Sequence, residues 1–96
     1  PITVGNVIAD IIDAPAGSVV MHQNVSICQQ TILSALDWRG ARNKLVTETL
    51  NFPSNHYIFH EWQRLGVRLV EVPSEDGKRV PLEALLDAMD EQTLLV

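Results

Sequence analysis

The sequence has one cysteine, few aromatic side chains, fewer basic than acidic groups and no apolar run long enough for a membrane span. A lone Cys28 forms no internal disulfide and fits a reducing compartment, where it reads as a small hydrophobe of the core. No segment approaches the roughly 18 continuous apolar residues of a spanning helix, and no basic n-region with an apolar stretch behind it opens the chain. The expectation is therefore a cytoplasmic protein with no membrane partner. Seven Lys and Arg against twelve Asp and Glu leave a net charge of -5 and no basic stripe, which argues against a nucleic-acid partner. Neither GxGxxG nor GxxxxGK[ST] occurs, so the dinucleotide fingerprint and the triphosphate loop are both missing. No serine or cysteine triad can be assembled, and no catalytic residue is assigned.

What is present is a core-forming composition, 46% hydrophobic over 96 residues. Val4, Val7, Ile8, Ile11 and Ile12 follow the spacing of an amphipathic helix, which Pro15 and Gly17 end. Ser18 to Met21 reads as a short buried strand. Asn24 is a candidate cap for a helix from Val25 to Trp38, with Cys28, Ile32, Ala35 and Leu36 on one face. Lys44 to Thr49 is a second strand. Pro53 holds Phe52 extended ahead of a helix from Asn55 to Leu65, striped by Ile58, Trp62 and Leu65 and ended by Gly66. Val67 to Val72 is a third strand, and Pro81 opens a helix striped by Leu82, Leu85, Leu86 and Met89. Thr93 to Val96 begins a fourth strand.

Strands alternating with helices predict an α/β fold of three layers around a mainly parallel sheet. Ending on a strand stub, the chain is expected to continue beyond Val96. Ligands of such sheets bind at the carboxyl ends of strands, which directs attention to the loops after Met21, Thr49 and Val72. At the first, Ser26 lies in the opening turn of a helix whose free N–H groups suit a phosphate, or it simply completes a cap. At the second, the Phe52 ring either covers a flat ligand or completes the local core. His22 is a strand-end candidate for ligand contact. His56 and His60 share a helix face pointing to solvent or a partner and, with no third ligand, form no metal site. Glu71, Glu75 and Asp76, like Asp87, Asp90 and Glu91, read as solvated faces.

The stretch Val19 to Leu36, VVMHQNVSICQQTILSAL, the strand at Lys44 to Thr49, and Asn51 to Tyr57, NFPSNHY, together resemble the large domain of kynureninase. That family belongs to the class V, fold type I enzymes that use pyridoxal 5'-phosphate. The resemblance extends through VRLVEVPSEDG and the helix after Pro81. It implies that residues 1–96 are the N-terminal part of the cofactor-binding large domain of a fold type I transferase-like fold. Val25 and Ser26 then match the pair that holds the cofactor phosphate. Phe52 matches the residue that stacks on the pyridine ring, and Pro53, Ser54 and Asn55 match the rest of that segment. Kynureninases carry aspartate where this chain has Asn55.

The aspartate that pairs with the pyridine nitrogen and the Schiff-base lysine lie further along in that family. Lys44 and Lys78 stand in the wrong contexts to replace that lysine. The resemblance also implies an amino-acid substrate, a homodimer, and hydrolysis of kynurenine to an anthranilate and alanine. Transamination or sulfur removal by a class V relative is a second reading. A non-catalytic α/β binding or assembly module is a third.

Overall fold

A computed structural model describes residues 2–96. Helix α1 spans Ile2–Ile11, α2 Val25–Ala35, α3 Pro53–Trp62 and α4 Leu82–Ala88, while strands β1, β2 and β3 span Lys44–Glu48, Arg68–Val72 and Thr93–Leu95. All strand pairs are parallel, in the order β2-β1-β3. The predicted α/β class with a parallel sheet is observed.

The order explains the layering. The chain leaves β1 for β2 on one side, then crosses back past β1 to reach β3. Right-handed crossovers in opposite directions put α3 and α4 on opposite faces. Side chains agree: Leu45 packs with Leu33, Ile58 and Phe59 under α2 and α3, while Lys44, one residue earlier, reaches Ala88 and Asp90 at the end of α4. Central β1 is accordingly buried on both faces, Lys44 and Thr47 included. The switch point lies between the carboxyl ends of β1 and β3.

Local signals formed as expected at several points. Asn24 caps α2 through its Oδ1, which accepts the Ile27 N–H at 3.0 Å. A 3-10 turn, Gln63–Leu65, follows α3 and stops at Gly66, whose φ of 104° is left-handed. A Cβ there would also lie 3.0 Å from the Trp38 carbonyl oxygen.

The expected first strand is different. Ser18 to Met21 carries no ladder, because helix α1 rather than a strand approaches its backbone. Gly5 and Ala9 are the buried residues of α1, and a Cβ on Gly5 would collide with the Val19 carbonyl oxygen. Small residues thus choose the docking face, leaving Val4, Val7, Ile11 and Ile12 exposed. The radius of gyration, 15.6 Å, exceeds the roughly 13 Å of a compact chain this long, as an arm standing off the sheet would produce. On α2 the buried residue is Leu33, and the predicted face residue Ile32 is exposed. Leu65, Leu82 and Leu86 are exposed too.

Candidate functional site

Helix α2 begins with two amides that its own turn cannot use. Asn24 takes the Ile27 N–H through its side chain and the Cys28 N–H through its carbonyl. The N–H groups of Val25 and Ser26 have no acceptor among the described residues. Helix α3 begins at Pro53, whose ring presets the first helical φ, behind an extended Phe52 with φ -61° and ψ 139°. No side chain caps this helix start.

The two helices lie side by side in the same direction. Ser26 faces Ser54 across a pocket of about 490 Å³ that Thr31 and Tyr57 also line. Further along, Trp62 Nε1 donates to Gln30 Oε1 at 2.6 Å, and Ala35 meets Leu65 around another hollow. Early residues meet early and late meet late, so both N-termini open at the end of the sheet where β1 delivers the chain to α3. Ser26 and Ser54 place hydroxyls where this groove starts, and it runs on between the two helices past Gln30, Thr31 and Tyr57. It is an open groove along the helix pair rather than an enclosed cavity.

Of the residues singled out in the sequence, Ser26 and Ser54 are brought together here. Val25, Phe52 and Pro53 are exposed beside them without lining the pocket, and the Phe52 ring is 71% exposed. Asn55 is 8% exposed and turns inward, its Nδ2 donating to Asn51 Oδ1. Thr31 was not singled out, nor were Gln30 and Tyr57, although these two follow Ser26 and Ser54 at helical spacings.

A second cavity, about 240 Å³, lies at the switch point and is lined by Gln29, Leu33, Thr47, Asn51 and Leu95 among others. Gln29 Oε1 and Asn55 Oδ1 are buried acceptors without a protein donor. His22 and Cys28 line a third hollow near Val20, where Cys28 is half-buried rather than fully enclosed.

Neither lysine lines the Ser26–Ser54 pocket. Lys44 is 4% exposed, its Nζ bonded to the Ala88 carbonyl at 3.1 Å and to Asp90 Oδ2 at 2.5 Å. That ammonium, followed by the Gln92 N–H, holds the Asp90 carboxyl below the usual range, so Asp90 is a paired group rather than a merely solvated one. Lys78 lies in the loop where Asp76 Oδ1 accepts the amides of Lys78 and Arg79, which lower the Asp76 pKa.

Of the two histidines, His56 departs from expectation, whereas His60 keeps its side chain 55% exposed. His56 Nδ1 lies 2.9 Å from Glu71 Oε1, and His60 Nε2 lies 3.3 Å from Glu71 Oε2. The pair packs over β2 because Glu71 shares the sheet face on which α3 lies. Among the described residues no cluster of His, Cys, Asp or Glu is arranged to hold a metal ion, and no helix is long and apolar enough to cross a membrane.

Comparison with known proteins finds kynureninases. The chain is 30% identical over 98 residues to the kynureninase of Bacillus cereus, 29% to that of Bacillus thuringiensis subsp. konkukian and 28% to that of Bacillus anthracis. Each alignment covers 96% of this chain and 23% of the relative, so the chain spans about a quarter of the length of the curated relatives it matches. This distant kinship points to the superfamily of fold type I pyridoxal-phosphate enzymes. No protein-family model matches the chain, and no solved structure matches it significantly.

Proposed function

We propose that this chain forms the phosphate-holding part of the cofactor domain of a kynureninase-like enzyme dependent on pyridoxal 5'-phosphate. The observation that carries the reading is the shared opening of α2 and α3 on one pocket with Ser26 and Ser54 on facing walls. The free amides of Val25 and Ser26 and the hydroxyls of Ser26 and Ser54 form a donor set that fits a phosphate dianion. The exposed Phe52 ring covers one face of the pyridine ring, with Pro53 and Asn55 shaping the segment behind it. The cofactor, once bound, supplies an electron sink for chemistry on an amino acid. Val25, Ser26 and Ser54 orient it by its phosphate, and Phe52 keeps water from one face.

In this reading the complete protein is a cytoplasmic homodimer that hydrolyses kynurenine to anthranilate and alanine. The lysine that carries the cofactor is neither Lys44, which is committed to Asp90 and Ala88, nor Lys78. A class V aminotransferase or desulfurase is the second reading, favoured by Asn55 where kynureninases carry aspartate.

The test is cofactor uptake by the natural full-length polypeptide containing this chain, followed by equilibrium dialysis and the cofactor's absorption. Ser26→Ala with Ser54→Ala should weaken uptake at least about tenfold, the worth of one or two hydrogen bonds to a charged group. A folded full-length protein that takes up no pyridoxal phosphate refutes the proposal. Anthranilate release from kynurenine separates the first reading from the second.

A further inference from the structure

The turn bearing Phe52, Pro53 and Ser54 is closed by a ring of hydrogen bonds. Asn51 Nδ2 donates to Thr47 Oγ1 of β1 at 3.3 Å, while Asn51 Oδ1 accepts the Phe52 N–H at 2.8 Å and also Nδ2 of Asn55. On its other side the Asn51 carbonyl accepts from His56 Nε2 at 3.1 Å, and His56 Nδ1 meets Glu71 Oε1 at 2.9 Å. Glu71 is the register partner of Thr47 in the β1–β2 ladder, which completes the ring. His60 steadies the second Glu71 oxygen from one helical turn away.

Both His56 nitrogens lie within hydrogen-bonding distance of oxygen atoms, so the ring is held at both edges. The His56 and Glu71 side chains are 23% and 25% exposed, sheltered enough for the contact to hold its geometry. Core packing does not call for this apparatus. The Phe52 side chain is largely in solvent and gains little from burial, yet its amide is pinned and the peptide before it is held from two sides.

We infer that His56 and Asn51 are positioning residues that set the pose of Phe52 at the pocket mouth, His56 acting through the Asn51 carbonyl. The inference rests on the reading of Phe52 as the residue that covers the cofactor ring. Its test uses the natural full-length polypeptide and begins without cofactor, by hydrogen exchange at the Phe52 amide. Asn51→Ala and His56→Ala should each speed that exchange about tenfold, the factor one ordinary hydrogen bond contributes to local opening, while Val46 stays protected. Glu71→Gln, which keeps an acceptor and preserves the fold, should give a smaller change in the same direction.

Affinity for pyridoxal phosphate should then fall in His56→Ala and be insensitive to that change in a Phe52→Ala background. Unaltered Phe52 exchange in both His56→Ala and Glu71→Gln overturns the inference, as does an equal loss of affinity with and without the Phe52 ring. A wild-type protein that takes up no cofactor overturns the functional reading instead, and the exchange measurement still decides whether the clamp holds the turn.

Discussion

Replacing Asn55 by aspartate, the residue kynureninases carry, should destabilise this chain at neutral pH and do so less in acid. The Phe52 N–H requires an oxygen from Asn51, and that choice turns Asn51 Oδ1 toward Asn55. Asn55 meets it with an N–H donor, which a carboxylate does not have. With Asn55 only 8% exposed, the substitution sets acceptor against acceptor and buries a charge. Leaving a buried group unpaired costs about 1–3 kcal/mol, more for a charge. The favourable field at the start of α3 returns about 0.3–1 kcal/mol, so the net effect is destabilising by up to about 2.7 kcal/mol. For a domain of this size that lowers Tm by up to roughly 20 °C, at about 4–8 °C per kcal/mol.

The sign with pH follows from the same geometry. Once protonated, the introduced carboxyl donates to Asn51 Oδ1, so its folded pKa is raised and the penalty grows as pH rises above the unfolded value, about 3.9. Thermal unfolding of wild type and Asn55→Asp by circular dichroism, at neutral pH and near pH 4, measures both effects. Equal or higher stability of the variant at neutral pH would refute the reasoning, by showing that Asn51 turns over or that water enters at no cost.

Gly5→Ala should detach α1, since its Cβ would collide with the Val19 carbonyl oxygen; faster proteolysis between α1 and α2 with β1 still protected from exchange is the expected result. Lys44→Met should lose stability relative to wild type most clearly above the ordinary carboxylate range. The folded Asp90 pKa is depressed, so the pair's contribution is complete above the unfolded value near 3.8 and disappears as pH falls through the lower folded one. Denaturant unfolding of both proteins across that range should show the gap closing in acid. Leu33→Ala, at a side chain 1% exposed beneath α2, should cost about 2–5 kcal/mol, read from the denaturation midpoint.

Much of the fold was legible because it depends on neighbours in sequence. The Asn24 cap, Pro53 at the start of α3, the stop at Gly66 and the strands near Lys44–Glu48 and Arg68–Val72 all follow from local dihedral preference and periodicity. Ser26 and the Phe52–Ser54 segment were visible as two helix starts, although only the second follows a strand. Their meeting at one pocket was not, because it needs α2 laid parallel to α3.

Local chemistry and periodicity were enough for the α/β class, for the elements from α2 onward and for residues whose backbone conformation is set by their own side chains. Tertiary structure alone decided that Ser18 to Met21 makes no ladder, that Gly5 and Ala9 rather than the apolar stripe face inward, and that His56 and His60 turn to Glu71. It also decided that Lys44 reaches Asp90 across 46 residues of chain. The reason is physical: a strand exists only when another supplies its hydrogen bonds, and a helix face is buried only where something can come close enough to cover it.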